Sequence, residues 1–218
     1  MALIREFRNY VLIAVAGSDI RELERDVFLK LREKIATKAP SLAELAHVLA
    51  AIDVSQSLSL AAIINGYTRP RLVESSNTIA IDEGRHPIVE STLPAGSFVP
   101  NDIRLEYNGT RFIVLTGPNM AGKSTYLRQT ALIVLMAQIG SFVPAKSARL
   151  SLVDGIFCRI GTSDNIVRGE STFLVEMNET ARILRTATAN SLIILDEIGR
   201  GTSTEDGSAI AMAVCEHL

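Results

Sequence analysis

The spacing of apolar residues divides the chain into two parts. Between residues 19 and 66, apolar side chains recur three or four positions apart, beginning with Ile20, Leu23 and Val27, and Arg, Glu and Lys fill the positions between them. Because this is the period of an α-helix, the pattern predicts helices with one apolar face and one solvated face.

Polar and turn-forming residues predict where these helices end. Pro40 is expected to end the first helix, and Ser41 with Glu44 three positions later predicts the start of a second. Asn65 and Gly66 predict its end. The sequence therefore predicts two long antiparallel helices that act as a strut, with no residues that suggest chemistry.

After residue 70 the pattern changes to short runs that are rich in branched residues, which favour strands. The predicted strands are 78–90, 102–107, 111–116, 155–160 and 191–196, and the predicted helices between and after them are 123–139, 172–188 and 204 to the end. Such alternation is typical of an α/β fold with a mostly parallel, helix-covered sheet. We therefore predict a helical segment at 1–70 and a second domain at 71–218.

Composition adds little about function. The net charge of −2 shows no basic excess, so it argues neither for nor against nucleic-acid binding. Cys158 and Cys215 lack metal-ligand spacing and are expected to be buried, reduced thiols of a cytoplasmic protein. Arg5 and Arg8 precede an apolar run that resembles a signal peptide, but the run is shorter than the roughly 20 apolar residues of a membrane span. A buried helix with no membrane contact is the preferred interpretation.

The stretch "GPNMAGKS" at 117–124 fits the phosphate-binding pattern G-x-x-x-x-G-K-[ST], between a predicted strand and a predicted helix. Lys123 would reach the β- and γ-phosphates of ATP, and the Ser124 hydroxyl would bind Mg²⁺. A purely structural glycine-rich turn would need neither residue. The predicted nucleotide-binding residues of this loop are Gly117, Pro118, Asn119, Met120, Ala121, Gly122, Lys123, Ser124 and Thr125.

The run "SLIILDE" ends in two adjacent carboxylates, Asp196 and Glu197. Asp196 is predicted to hold Mg²⁺ through water, and Glu197 to polarise the attacking water. A strand that ends in Asp-Glu is more often a solvated turn, but the loop with Lys123 upstream favours catalysis. The sequence therefore predicts Lys123, Asp196 and Glu197 as the catalytic residues of an ATPase, since Asp followed by Glu suggests hydrolysis rather than a binding switch.

A third motif, "GESTFLVEMNETARIL" at 169–184, lies between these two. Ser171 is a candidate N-cap for the helix that follows, and a glycine just before the cap would leave backbone N–H groups free for an anion. A cap with structural value alone is the competing interpretation.

Together these stretches resemble the MutS family of DNA mismatch repair proteins. The resemblance is carried by "EGRHPIVE", "FVPNDI", the extended loop-and-helix stretch at 115–145, "GESTFLVEMNETARIL" and "LDEIGRGTST". It implies a P-loop NTPase fold of ABC-ATPase type, and a dimer in which each ATP lies between two chains.

The resemblance also implies roles for single residues. Ser171 would bind the γ-phosphate in trans, Phe98 would pack against adenine, and the Val99 backbone would read the base. Asn119 matches a polar residue close to the phosphates. His86 would be structural, although it is the histidine that most suggests catalysis.

For the intact protein, the resemblance implies a homodimer that binds mismatched double-stranded DNA through domains absent here and works with a MutL-type repair factor. The ATPase domain is expected to be incomplete, because the family's sensor histidine and dimer contact lie beyond Leu218. We therefore expect the Mg²⁺-dependent ATPase activity of this chain alone to be impaired and its ATP binding to be weak. The alternatives are a MutS-related ATPase that acts in recombination or on ribosomes, and another ABC-like DNA-repair ATPase. The second would need a glycine-rich signature in place of "GESTFLVEMNE".

Overall fold

A computed structural model describes residues 2–74, 77–118, 120–161, 172–199 and 201–218. By internal contacts the chain falls into two units, Met1–Gln56 and Ser57–Leu218.

The described residues from Ala2 to Asn65, which include the first unit, are almost entirely helical. Helix α1 (Ala2–Ala36) is separated from α2 (Ala39–Asn65) by two residues, and Leu42 N donates to Lys38 O across the start of α2. The second helix begins before the predicted Ser41, because a proline in the first turn removes only an N–H that has no partner within the helix. Its end at Asn65 is as predicted, and Gly66 has φ 60°.

The apolar positions of these helices are exposed. No described side chain between residues 19 and 56 is buried, so the predicted apolar faces of the helices are exposed there. By length and composition alone, α2 is the one described helix that could cross a membrane. This is weak evidence, because core helices of soluble proteins and signal sequences meet the same criterion.

The second unit contains a mixed sheet of short strands. Its strands are β1 (Arg71–Val73), β2 (Ile79–Gly84), β3 (Asn101–Leu105) and β4 (Ser147–Ser151), in the order β1-β4-β2-β3. The β1–β4 pair is parallel, and β2 is antiparallel to both β3 and β4. A short helix, α3 (Pro87–Thr92), follows β2.

A separate parallel pair is formed by β5 (Ile156–Arg159) and β6 (Leu192–Leu195). Three helices accompany it: α4 (Lys123–Gln138), α5 (Thr172–Thr186) and α6 (Thr204–His217). Helix α4 packs against both β2 and β6, so one apolar core joins the two sheets. Fully buried core side chains include Ile81, Ile133, Val134, Val143 and Leu150.

The predicted P-loop NTPase fold of ABC-ATPase type, with one mostly parallel helix-covered sheet, is therefore wrong. In the four-stranded sheet two of the three pairings are antiparallel, and the parallel pair β5–β6 stands apart. The segment 111–116, predicted as the strand before the phosphate loop, has no strand structure and its side chains are exposed. Its apolar pattern is that of a strand, but its backbone joins no ladder among the described residues.

Other differences are local. The predicted strand 78–90 ends at Gly84, because His86 and Pro87 begin α3. Strand β4 was not predicted. Of the two cysteines expected to be buried, Cys158 is exposed and Cys215 is partly exposed.

Candidate functional site

The glycine loop, residues Gly117–Ser124, leads directly into α4. Gly122 is the N-cap of the helix with φ 87°, a left-handed conformation that glycine adopts without strain. The first backbone N–H groups of a helix have no partner within it and carry partial positive charge. The loop therefore ends at a helix N-terminus that favours an anion such as phosphate.

The Lys123 ammonium group lies over this loop. Its Nζ donates hydrogen bonds to Gly117 O at 2.6 Å and to Pro118 O at 2.7 Å. Because an ammonium group has three donors, these carbonyl oxygens occupy two of them. A phosphate oxygen bound by Lys123 would use the remaining donor or replace a carbonyl.

Asp196 and Glu197 follow β6 directly. Asp196 is only 7% exposed, and its N–H donates to Arg159 O at 2.7 Å, which continues the β5–β6 pairing by one residue. Glu197 has φ 62°, which is uncommon for a residue with a side chain. A buried carboxylate such as Asp196 is costly unless a cation or hydrogen bonds compensate its charge.

One cavity of about 630 Å³ brings the lysine and the two carboxylates together. Lys123, Asp196 and Glu197 all line it, next to apolar side chains that include Ile113, Leu115 and Leu127. The predicted catalytic residues, which come from separate parts of the chain, therefore share one space beside the start of α4.

The remaining predicted residues of the glycine loop have mixed surroundings. Ser124 and Thr125 are partly buried in the first turn of α4. Met120 is fully exposed with φ 65°, and Ala121 N donates to Pro118 O at 3.4 Å. Asn119 lies outside the described residues.

The predicted adenine contacts are not part of the cavity that Lys123 lines. Phe98 is partly buried and Val99 is exposed, in the connection between α3 and β3. The Val99 carbonyl accepts a hydrogen bond from the Asn101 side chain at 3.1 Å. Ser171 lies outside the described residues. The roles of Phe98, Val99, Asn119 and Ser171 stay predictions.

Two buried charged residues near the site were not predicted. Arg159 on β5 is 5% exposed and Glu176 on α5 is 3% exposed. Arg159 Nη2 lies 3.5 Å from Glu176 Oε2, and Glu176 Oε1 accepts a hydrogen bond from Gly199 N at 2.5 Å. For Arg159 the sequence offers one signal, a charged residue inside the apolar run "GIFCRI". Spacing alone does not show whether such a residue is buried or lies at an exposed strand position.

The chemistry of these side chains is that of groups that could hold a nucleotide with Mg²⁺. Lys123 and the N-terminus of α4 can bind phosphate, while the Ser124 hydroxyl and the Asp196 carboxylate supply the oxygen ligands that Mg²⁺ prefers. In the part of the chain that is described, no group of three or more His, Cys, Asp and Glu residues is arranged to hold a metal. This is compatible with Mg²⁺, because that ion keeps several waters and is bound largely by the phosphates themselves.

Comparison with known proteins gives one family. Residues 113–218 match the model of MutS domain V. This match, like the mixed sheet, does not support the predicted ABC-type P-loop fold.

Several curated relatives share the name DNA mismatch repair protein MutS. The chain is 56% identical to that of Treponema denticola over 206 residues, covering 90% of this chain and 23% of the relative. It is 57% identical to that of Sorangium cellulosum over 203 residues, covering 93% of this chain and 22% of the relative. It is 53% identical to that of Trichormus variabilis over 211 residues, covering 94% of this chain and 25% of the relative.

The chain thus spans about a quarter of the length of the relatives that it matches. The identity extends over nearly all of the chain, including the helices before the domain V match. On these matches, the chain belongs to the MutS family of DNA mismatch repair proteins.

Proposed function

We propose that this chain carries the ATP-binding and ATP-hydrolysing site of a MutS-type mismatch repair protein. The observation that supports this is the cavity that Lys123, Asp196 and Glu197 all line at the N-terminus of α4. A cation and a helix N-terminus can stabilise the charge of the phosphates, and a carboxylate can hold Mg²⁺ or orient the attacking water, as phosphoryl transfer to water needs.

Each residue of the site has a distinct task in this proposal. Lys123 and the N–H groups of the glycine loop bind and orient the phosphates, and Glu197 takes the proton of the attacking water. Ser124 and Asp196 would hold Mg²⁺, which neutralises developing charge on the phosphates when it is bound. Phe98 and Val99 would contact the base, and Ser171 would complete the site of a second copy in a homodimer.

For the whole protein, we propose that ATP binding and hydrolysis change its affinity for mismatched double-stranded DNA and its contact with a MutL-type factor in the cytoplasm. The names of the relatives support the repair function. In this proposal the helical segment 1–70 transmits the nucleotide state, and residues 71–218 contain the ATP site.

Binding of a fluorescent ATP analogue by residues 1–218 tests the site. Lys123→Ala should weaken binding about 10- to 100-fold, because a hydrogen bond to a charged group contributes roughly 1.5–3 kcal/mol. Glu197→Gln should retain binding but reduce hydrolysis about 10²- to 10⁴-fold, since it removes the base without removing a phosphate contact.

Lys38→Ala is the matched control, because Lys38 is exposed between α1 and α2. This variant should change neither the binding of the ATP analogue nor the rate of hydrolysis. Tight binding that is unaffected by Lys123→Ala would overturn the assignment of the glycine loop as the phosphate site.

A further inference from the structure

The loop after β6 carries the carboxylates of Asp196 and Glu197. Hydrogen bonds hold its backbone before and after these two residues. Before them, Asp196 N donates to Arg159 O at 2.7 Å, and after them, Gly199 N donates to Glu176 Oε1 at 2.5 Å. Arg159 and Glu176 are themselves paired, with Nη2 3.5 Å from Oε2. The contacts therefore form a closed connection from β5 through α5 to the loop and back to β5.

The backbone between these two hydrogen bonds has an unusual conformation. Glu197 has φ 62° and Gly199 has φ 82°, so two residues of this short stretch are left-handed. A left-handed residue with a side chain costs free energy and persists only where its surroundings impose it. The hydrogen bond from Gly199 N to a buried carboxylate is such a constraint.

Helix packing restricts the same loop further. A Cβ atom built on Gly199 would lie 2.6 Å from Gly207 Cα in the first turn of α6. One built on Gly201 would lie 2.6 Å from Phe173 Cβ in the first turn of α5. Gly199 and Gly201 are thus confined by the beginnings of two helices, and Glu176 on α5 accepts the hydrogen bond from Gly199 N.

The Arg159–Glu176 pair contributes little to stability by itself. Both side chains are buried, and Arg159 Nε lies 3.2 Å from Glu179 Oε2 as an ion pair without hydrogen-bond geometry, while Nη1 makes no hydrogen bond within the described residues. Buried ion pairs with incomplete hydrogen bonding often stabilise a fold no more than apolar residues of the same size. The Arg159–Glu176 pair can instead fix the position of the Glu176 carboxylate.

We infer that Glu176 is a positioning residue that holds Glu197 in place through Gly199 N, with Arg159 orienting the Glu176 carboxylate. Glu176 touches no reacting atom. This inference rests on the proposed ATPase function, because it assigns Glu176 the task of placing the base of that reaction.

Glu176→Leu combined with Arg159→Met tests the inference in the 218-residue chain. The double variant replaces the ion pair by apolar side chains of similar volume, so folding is retained while the acceptor for Gly199 N is lost. The rate constant kcat for ATP hydrolysis should fall about 100-fold, as expected when a catalytic group is misplaced by about 1 Å. ATP affinity should be unchanged, because the glycine loop is intact.

Two single variants separate positioning from charge. Glu176→Gln retains an oxygen that can accept from Gly199 N, so it should preserve most of kcat. Glu179→Gln removes the other partner of Arg159, whose Nε lies 3.2 Å from Glu179 Oε2, but leaves the loop contact intact. It should leave kcat unchanged, and a loss as large as that of the double variant would overturn the inference.

Amide hydrogen exchange of Gly199 provides a readout that does not depend on ATP. The Gly199 N–H should exchange slowly in the wild-type chain and about tenfold or more faster in the double variant, because a hydrogen bond to a charged group is lost. Equal exchange in both would overturn the positioning role. If the wild-type chain neither binds nor hydrolyses ATP, the proposed function fails, and the Gly199 exchange still decides whether Glu176 holds the loop.

Discussion

His86 illustrates how the surroundings of one side chain decide its role. It is 5% exposed, and its Nδ1 accepts a hydrogen bond from Val89 N at 3.3 Å, so the imidazole caps the N-terminus of α3. Burial lowers the pKa of His86 from its ordinary value of 6.5, and the charge of Arg128 lowers it further. The buried imidazole is therefore neutral, as an acceptor at an N-cap must be.

This predicts a pH dependence of stability. The pKa of His86 is lower in the folded than in the unfolded chain. Its contribution to the free energy of unfolding is therefore fully present above about pH 6.5, and it declines as pH falls from there toward the folded pKa. His86→Asn retains a capping acceptor without the titration and should flatten this decline. The free energy of urea unfolding, measured in steps from about pH 7.5 to 5, gives the slope.

His47→Asn is the control for this measurement, since His47 is exposed on α2. It should retain the wild-type slope. A decline that persists unchanged in His86→Asn would assign the effect to other groups.

Among the elements, helices were predicted more accurately than strands. The starts of α4 and α6 follow from residues next to them, such as Ser203, whose hydroxyl accepts from Asp206 N at 3.2 Å. Strand pairing depends on distant partners. The alternation of Ala148 and Leu150 with exposed Arg149 was visible in the sequence, but nothing local indicates that β4 pairs with both β1 and β2.

Packing between β2 and α4 gives a prediction at this scale. A Cβ atom at Gly84 would lie 2.7 Å from Gln129 Nε2, 2.9 Å from Ile81 Cγ2 and 3.1 Å from Asn101 O. Gln129 is buried and Asn101 O belongs to the backbone, so neither can move freely. Gly84→Ala should therefore lower the free energy of unfolding by about 1–3 kcal/mol.

The matched variant is Gly109→Ala. Its added Cβ would come no closer than 3.6 Å to any atom, at Glu106 Cβ, which is an ordinary contact. Urea unfolding of both variants should show a loss for Gly84→Ala alone, and equal losses would contradict the packing argument.

On the scale of the whole molecule, the candidate site depends on residues that are far apart in the chain. Motif spacing predicted Lys123, Asp196 and Glu197, because each belongs to a short pattern with known chemistry. It did not predict Arg159 and Glu176, since their burial follows from how β5 and α5 pack. It also did not predict the mixed sheet, because apolar periodicity does not distinguish parallel from antiparallel neighbours.

The distribution of buried residues predicts which part of the chain determines stability. Every residue of the main apolar core lies between Ile79 and Ile194, while no described side chain from 19 to 56 is buried. A chain that begins at Ser57 should unfold cooperatively with nearly the same free energy. It should also bind less of the hydrophobic dye ANS, because exposed apolar residues of α1 and α2 are removed.

Urea unfolding followed by far-UV circular dichroism measures the first quantity, and dye fluorescence measures the second. The sequence contains no tryptophan, so intrinsic fluorescence would rest on its four tyrosines. A large loss of stability in the shortened chain would show that residues before Ser57 contribute to the core.

The segment Phe112–Leu115 has a consequence for how copies of the chain behave together. All four side chains are exposed, their backbone joins no described ladder, and branched and aromatic residues favour extended pairing. Such a run can pair with the same run of another molecule and seed cross-β stacking. Arg111 before it and Pro118 shortly after it are the kinds of residue that oppose this pairing, through the charge of the arginine and the missing N–H of the proline.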